Sequence, residues 1–290
     1  GWLHDGRSLW FEPERSGWFD CSCCPTNLVR FIPSVPGYMY AQNGDDVYVN
    51  LFISSTANLT GHHHSLQIIQ QNNYPWDGGL LFIINPAKSD NFNLKIRIPG
   101  WARNEAMPSD LYQFQNKSAV KTIIKINGKE VEYSIDKGYA VLNKTWKKGD
   151  KIEVDLPMEI RTVVANQNVK DDNGKVALQR GPIVYCAEWA DNNNQTSNII
   201  LPANTSFTNT YKSSLLNGVM TIDATVPKVI ADDDNVGTKQ QPFVAIPYYA
   251  WANRGKGEMQ VWFPEQVKNV QLSTKNPLTP KGENFEIVKK

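Results

Sequence analysis

Residues 19–30 read FDCSCCPTNLVR, and three of the chain's four cysteines, Cys21, Cys23 and Cys24, fall within four positions of one another. Three chemistries compete for thiols so placed. The first is a disulfide. Adjacent Cys23 and Cys24 are poorly disposed to bridge each other, and Cys21–Cys23 lacks the two-residue spacer of the usual redox pair. The second is an inert buried cluster, because cysteine is often buried. The third is a metal site or an activated thiolate. Zinc binds thiolates in tetrahedral sets, and cysteines in a tight loop can converge on one ion. A helix starting just after them would add amide donors and a positive dipole end, both of which stabilise thiolate. A complete structural zinc site takes about four ligands. The other candidates are His4 and the run His62–His64, in which His62 and His64 would share one face of a strand. That run lies far along the chain, so the ligand arithmetic points to partners outside these residues.

Other chemistry-bearing residues read as structural. Glu12 and Glu14 are the only glutamates before the cysteines and read as ordinary carboxylates. In YPWDG, Trp76 and Asp77 suit either a substrate entrance or a turn closed by proline and aspartate. Arg180 and Glu188 read as a structural pair, and Arg254 as a guanidinium bracing loop carbonyls. The stretch RGKG lacks the spacing of a phosphate-binding loop. Cys186, in GPIVYCAEWA, reads as a buried strand residue.

The elements that must hold the cysteines follow from periodicity. Leu28, Phe31 and Ile32 share a helical face, Pro25 suits an early helical position, and Pro33 or Pro36 would end or kink the helix. This places the cysteines at a loop-to-helix junction. From Asp46 the period becomes that of strands: VYVNLFISSTANL, HSLQIIQQNNYPWDGGLLFIINP, FNLKIRIPGW, VKTIIKINGKEVEYS, GYAVLNKTW and KIEVDLPMEIRTVV. INGKE and KKGD are hairpin turns. A second strand-rich block holds a pair around RGP in KVALQRGPIVYCAEWA, then TIDATVPKVIA, QPFVAIPYYAWANRG, GEMQVWFPE and VKNVQLSTK. The polar stretch from Ala190 to Val219 reads as loop. Strands without intervening helices predict a mainly β chain of antiparallel β-sandwiches.

Composition bounds the function classes. The 290 residues suffice for two domains, with 41% hydrophobic and 20% charged residues. A net charge of +1 gives no field suited to nucleic acid or an anionic membrane. There is no apolar run long enough to span a bilayer. The opening GWLHDGRSLW has no basic-then-apolar leader, which says nothing about export and leaves bacterial periplasm and cytoplasm both open. Nine tryptophans and eleven tyrosines suit sugar stacking or core packing equally.

The segment CSCCPTNLVRFIPSVPGYMYA resembles the β-L-arabinofuranosidases of glycoside hydrolase family 127 and the related family 146. YPWDG, IRIPGWA, ING, WKKGDKIEVDLPM, ALQRGPIVYCAE and IPYYAWANRGKGEMQVW agree in order, so the likeness runs along nearly the whole chain. The resemblance implies only the C-terminal part of such an enzyme. Residues 1–42 would hold the last helix of an otherwise absent (α/α)6 catalytic barrel, followed by β-sandwich domains at 43–165 and 166–290. It implies a retaining glycosidase acting on arabinose-containing glycans, with Cys23 as nucleophile and a thioglycosyl-enzyme intermediate. Cys23 and Cys24 would share a zinc ion with a glutamate and a cysteine from upstream. A further upstream glutamate would be the acid/base. Cys21 matches the pattern without a zinc role. The expectations that follow are a chain inactive by itself, and a barrel segment or second chain packed on residues 1–42. The alternative is a non-catalytic carbohydrate-binding or structural β-module with a vestigial or structural cysteine cluster.

Overall fold

A computed structural model describes residues 22–61, 64–231 and 236–270. Cys21, His4, His62, Glu12 and Glu14 lie outside the described residues, as do the end of VKNVQLSTK and most of the 1–42 segment before the helix.

The expected helix is present and broken into three pieces: an α-helix Cys23–Phe31, a 3-10 turn Ile32–Ser34 and a short helix Pro36–Met39. Pro33 and Pro36 each sit at the first or second position of a new piece, where a missing N–H is tolerated; neither could continue the preceding helix. The chain then enters a strand at Tyr40.

The rest is mainly β, with sheets that build two β-sandwich-like units. Among the described residues, one unit takes 22–105 and 118–158, and the other takes 106–117 and 159–270. The first has a five-stranded sheet in the order Tyr40–Asn43, Asp46–Val49, Asp90–Arg97, Tyr139–Trp146, Ser134–Asp136. Its six-stranded sheet runs Ser55–Thr60, Ser65–Asn72, Gly79–Pro86, Asp150–Asp155, Ile123–Ile126, Lys129–Glu130. The stretch VYVNLFISSTANL is therefore two strands, one in each sheet, with a crossover at residues 50–54. Among the described strands all pairings are antiparallel except Asp46–Val49 on Asp90–Arg97.

Alternation drives this sandwich. In Gly79–Pro86, Leu80, Phe82 and Ile84 point inward while Leu81 and Ile83 are less buried. Phe82, Phe92, Leu94, Ile96, Ile124, Trp146 and Ile152 are buried in one core, and the Trp146 indole donates to the Phe92 carbonyl at 3.1 Å. INGKE is the expected hairpin turn, with Ile126 paired to Lys129, whereas KKGD carries the chain from the five-stranded to the six-stranded sheet, so the strands on either side of it do not pair. Asn127 and Gly128 both have positive φ (51° and 78°), the requirement of a tight turn that the Asn-Gly pair meets.

The second unit is built on a nine-stranded sheet. Its main order is Thr208–Lys212, Val219–Ala231, Val236–Pro247, Ile183–Glu188, Lys175–Arg180, Ile160–Ala165, Tyr112–Phe114. The pair around RGP is present. Ile160–Ala165, assigned from sequence to the 43–165 sandwich, pairs with Lys175–Arg180 here, because Ile160 and Val164 join the core of Leu178, Tyr185 and Phe243. Tyr112–Phe114 joins the same sheet from a segment with no strand signal. The supposed loop 190–219 also differs. Ile199, Ile200 and Leu201 are buried, and Thr208–Lys212 is an edge strand.

Candidate functional site

The cysteine site is built on the helix Cys23–Phe31. None of its residues is buried. The amides of Cys23 and Cys24 belong to its first turn, at the positive end of the helix dipole, and Pro25 brings no N–H of its own. No acidic side chain lies in that turn to compete with a thiolate. Ser22 occupies the N-cap with helical backbone angles (φ −90°, ψ −10°) and its side chain makes no capping bond. The first turn is tied instead by Thr26, whose backbone N–H reaches Ser22 O at 3.0 Å and whose hydroxyl lies 2.8 Å from Ser22 O and 3.0 Å from Cys23 O.

The geometry at the thiols is specific. Cys23 Sγ and Cys24 Sγ are both exposed and stand 3.7 Å apart. Two thiolates on one tetrahedral zinc, each at about 2.3 Å, are separated by roughly 3.8 Å. The donor pair thus fits two positions of such a site. Among the described residues, no group of three or more His, Cys, Asp or Glu side chains is arranged to hold a metal ion.

The other residues singled out by sequence lie elsewhere. The buried His64 is engaged through its ring: Nδ1 is 2.8 Å from Asp90 Oδ2 and Nε2 is 3.6 Å from Asp45 Oδ1. It ties the loop before Ser65 to the turn at Asp45 and to the strand Asp90–Arg97. The His64 hydrogen bond holds the Asp90 carboxyl below its usual range. Trp76 and Asp77 form a turn. Trp76 N–H donates to Asn73 O, and Asp77 accepts from Gly79 N–H and from the Asn73 amide. Gly78 sits so close to Leu156 that a Cβ would stand 2.0 Å from its carbonyl oxygen, so the YPWDG turn requires glycine there.

The expected Arg180–Glu188 pair is corrected. The carboxylate of Glu188, 2% exposed, is taken by Arg254, which also reaches Asp191. Arg254 therefore braces its loop through two carboxylates rather than through carbonyls, and Glu188 also accepts the Ala252 N–H at 2.9 Å. The bonds to Asp191, against the desolvation that opposes them, and those to Glu188 raise the Arg254 pKa further. The sequence offered no sign of Asp191, because the WAD turn that presents it is itself formed by folding. Cys186 is fully buried, and burial pushes its thiol up to about 12, so it stays protonated and inert at neutral pH. Among the described residues no helix is long and apolar enough to cross a membrane.

Comparison with known proteins gives the pattern a family. The model described as the β-L-arabinofuranosidase GH127 middle domain matches residues 46–158. The model of the glycoside hydrolase family 127 C-terminal domain matches residues 160–264. The non-reducing end β-L-arabinofuranosidase of Bifidobacterium longum subsp. longum is 32% identical over 269 residues, covering 86% of this chain and 38% of its own length. A solved family 127 β-arabinofuranosidase superposes with a TM-score of 0.83 at 41% identity, over 89% of this chain and 40% of its own. The family 127 β-L-arabinofuranosidase of Geobacillus stearothermophilus gives 0.77 at 36% identity, over 88% of this chain and 39% of its own. The chain thus spans about two fifths of the length of these relatives. With family models matching both of its strand-rich regions, the chain belongs to glycoside hydrolase family 127, as its middle and C-terminal portion.

Proposed function

We propose that this chain is the C-terminal portion of a retaining β-L-arabinofuranosidase that releases L-arabinofuranose from arabinose-containing glycans, with Cys23 as the nucleophile. The observation that carries the reading is the exposed Cys23–Cys24 pair, 3.7 Å between sulfurs, at the first turn of a helix. The likeness to β-L-arabinofuranosidases supports the sugar.

The chemistry has two displacements. The Cys23 thiolate attacks the anomeric carbon; the C1–S bond forms as the glycosidic C1–O bond breaks. The departing oxygen takes a proton from a carboxylic acid supplied from outside the described residues. Water then attacks the same carbon, the C1–S bond breaks, the thiolate is regenerated and the conjugate base receives the proton. Two inversions give retention. Cys23 and Cys24 would hold zinc, which supplies thiols kept deprotonated at neutral pH. The first-turn amides favour the same charge state.

In this reading the 290 residues do not turn over substrate by themselves, and a catalytic barrel or a second chain packs on the helix. Support comes from the exposure of Leu28, Val29, Phe31 and Ile32, each more than half accessible, on a helix that buries nothing. In the enzyme containing the barrel, Cys23→Ser is expected to abolish hydrolysis of an aryl β-L-arabinofuranoside, and the parent to bind about one zinc per chain. Full activity in the variant would refute the nucleophile. Robust turnover by the 290-residue chain alone would refute its dependence on a further segment.

A further inference from the structure

We infer that Thr26 is a positioning residue that sets the spacing of the Cys23–Cys24 thiol pair; the inference rests on the reading of that pair as the reactive site. A helix start is ordinarily held by an N-cap side chain or by packing against the protein. Neither is seen among the described residues. Ser22 makes no capping bond, and the helix buries no residue. The side-chain bonds at this helix start run the other way: the Thr26 hydroxyl donates toward Ser22 O at 2.8 Å and Cys23 O at 3.0 Å. Those carbonyls belong to the two peptide units on either side of Cys23. Their orientation fixes the backbone angles that aim the Cys23 and Cys24 side chains. Pro25 then locks φ of the next residue and leaves the Thr26 N–H, 3.0 Å from Ser22 O, to close the turn.

Thermodynamic stability alone does not account for threonine here. It is a weak helix former, and its back-bonding to the preceding turn slightly destabilises and bends helices. Threonine does give a shared donor to the two carbonyls that govern the thiols, and the result is a separation of 3.7 Å, the span of two ligands on one tetrahedral ion. Alanine or leucine would favour the helix more, keep the backbone bond to Ser22 O and lose the hydroxyl shared between the two carbonyls.

The test uses phenylarsine oxide, which condenses with two thiols to form two As–S bonds and water, with no change of oxidation state. It reads thiol spacing without reference to hydrolysis. All proteins are the 290-residue chain carrying Cys21→Ser, so that only the adjacent pair is available. Thr26→Val keeps the side-chain shape and removes the hydroxyl; Thr26→Ser restores it. Thr26→Val is expected to weaken arsenical binding about fivefold, the effect of one lost hydrogen bond, with Thr26→Ser within about twofold of the parent. Equal binding by the valine variant would overturn the inference, as would a serine variant as weak as valine. Thermal unfolding is expected to be unchanged in both variants, since the helix Cys23–Phe31 buries no residue. In the enzyme with its barrel, Thr26→Val is expected to lower zinc content and kcat with KM little changed, again rescued by serine. Should Cys23→Ala leave hydrolysis intact while the arsenical result stands, the catalytic reading fails and the spacing role of Thr26 survives.

Discussion

The helix Cys23–Phe31 and the sandwich it leads into treat apolar side chains in opposite ways. Val29 is 71% exposed and Phe31 58%, whereas Trp146, Phe82 and Ile96 are fully buried within the same unit. The sandwich closes its own core between two sheets, and its stability is its own. The helix buries none of its residues, and its content is chemical: two thiols 3.7 Å apart beside a dipole end. Damage to the first region should therefore appear as lost stability, and damage to the second as lost chemistry with stability unchanged.

The largest effect should come from the sandwich core. Trp146→Ala opens a cavity and strands the Phe92 carbonyl, at a cost of about 4 kcal/mol in chemical denaturation. A loss below about 1 kcal/mol would mean that the core is not the closed one described. Next is the second unit's buried brace. Glu188→Gln leaves Arg254 with one carboxylate and is expected to cost about 3 kcal/mol.

A smaller effect is pH-dependent. On the outer face of the five-stranded sheet, the bond from Lys95 holds Asp46 below the usual carboxylate range, aided by Asn93 and Tyr48 and opposed by desolvation. A depressed folded pKa means stability fully present above the unfolded value, about 3.9, and lost as pH falls through the folded one. Asp46→Asn should remove that stabilisation at neutral pH, by no more than about 1 kcal/mol, and flatten the acid limb, so that variant and parent converge at pH values below the folded pKa. The smallest effect tests the contrast from its other side. Phe31→Ser in the 290-residue chain should shift stability by less than about 0.5 kcal/mol, and a loss near that of Trp146→Ala would erase the distinction between the regions.

Much of this was legible where local rules and tertiary demands agree. The inward Leu80, Phe82 and Ile84, the Asn127–Gly128 turn and the prolines that break the helix are read directly from period and backbone chemistry. Tyr112–Phe114 was not legible, because three residues carry no period and its partner strand lies some fifty positions on. Ile199–Leu201 was hidden by polar neighbours, although three consecutive apolar residues were a signal for burial. The Glu188–Arg254 pair was missed because sequence proximity favoured Arg180, whereas a hairpin return brings Arg254 back to the same strand end. At the cysteines, sequence fixed the residue types and the helix start, but not the 3.7 Å between sulfurs or the bonds from Thr26 that accompany it.

The central claim is that Cys23 forms a bond to the sugar. The most direct measurement is mass spectrometry of the barrel-containing enzyme, quenched in acid during turnover of a slow β-L-arabinofuranoside and digested to peptides. The account predicts one anhydropentosyl group on the peptide bearing Cys23, absent in Cys23→Ala. A pentosyl adduct on a carboxylate, or an adduct that persists in Cys23→Ala, would contradict it.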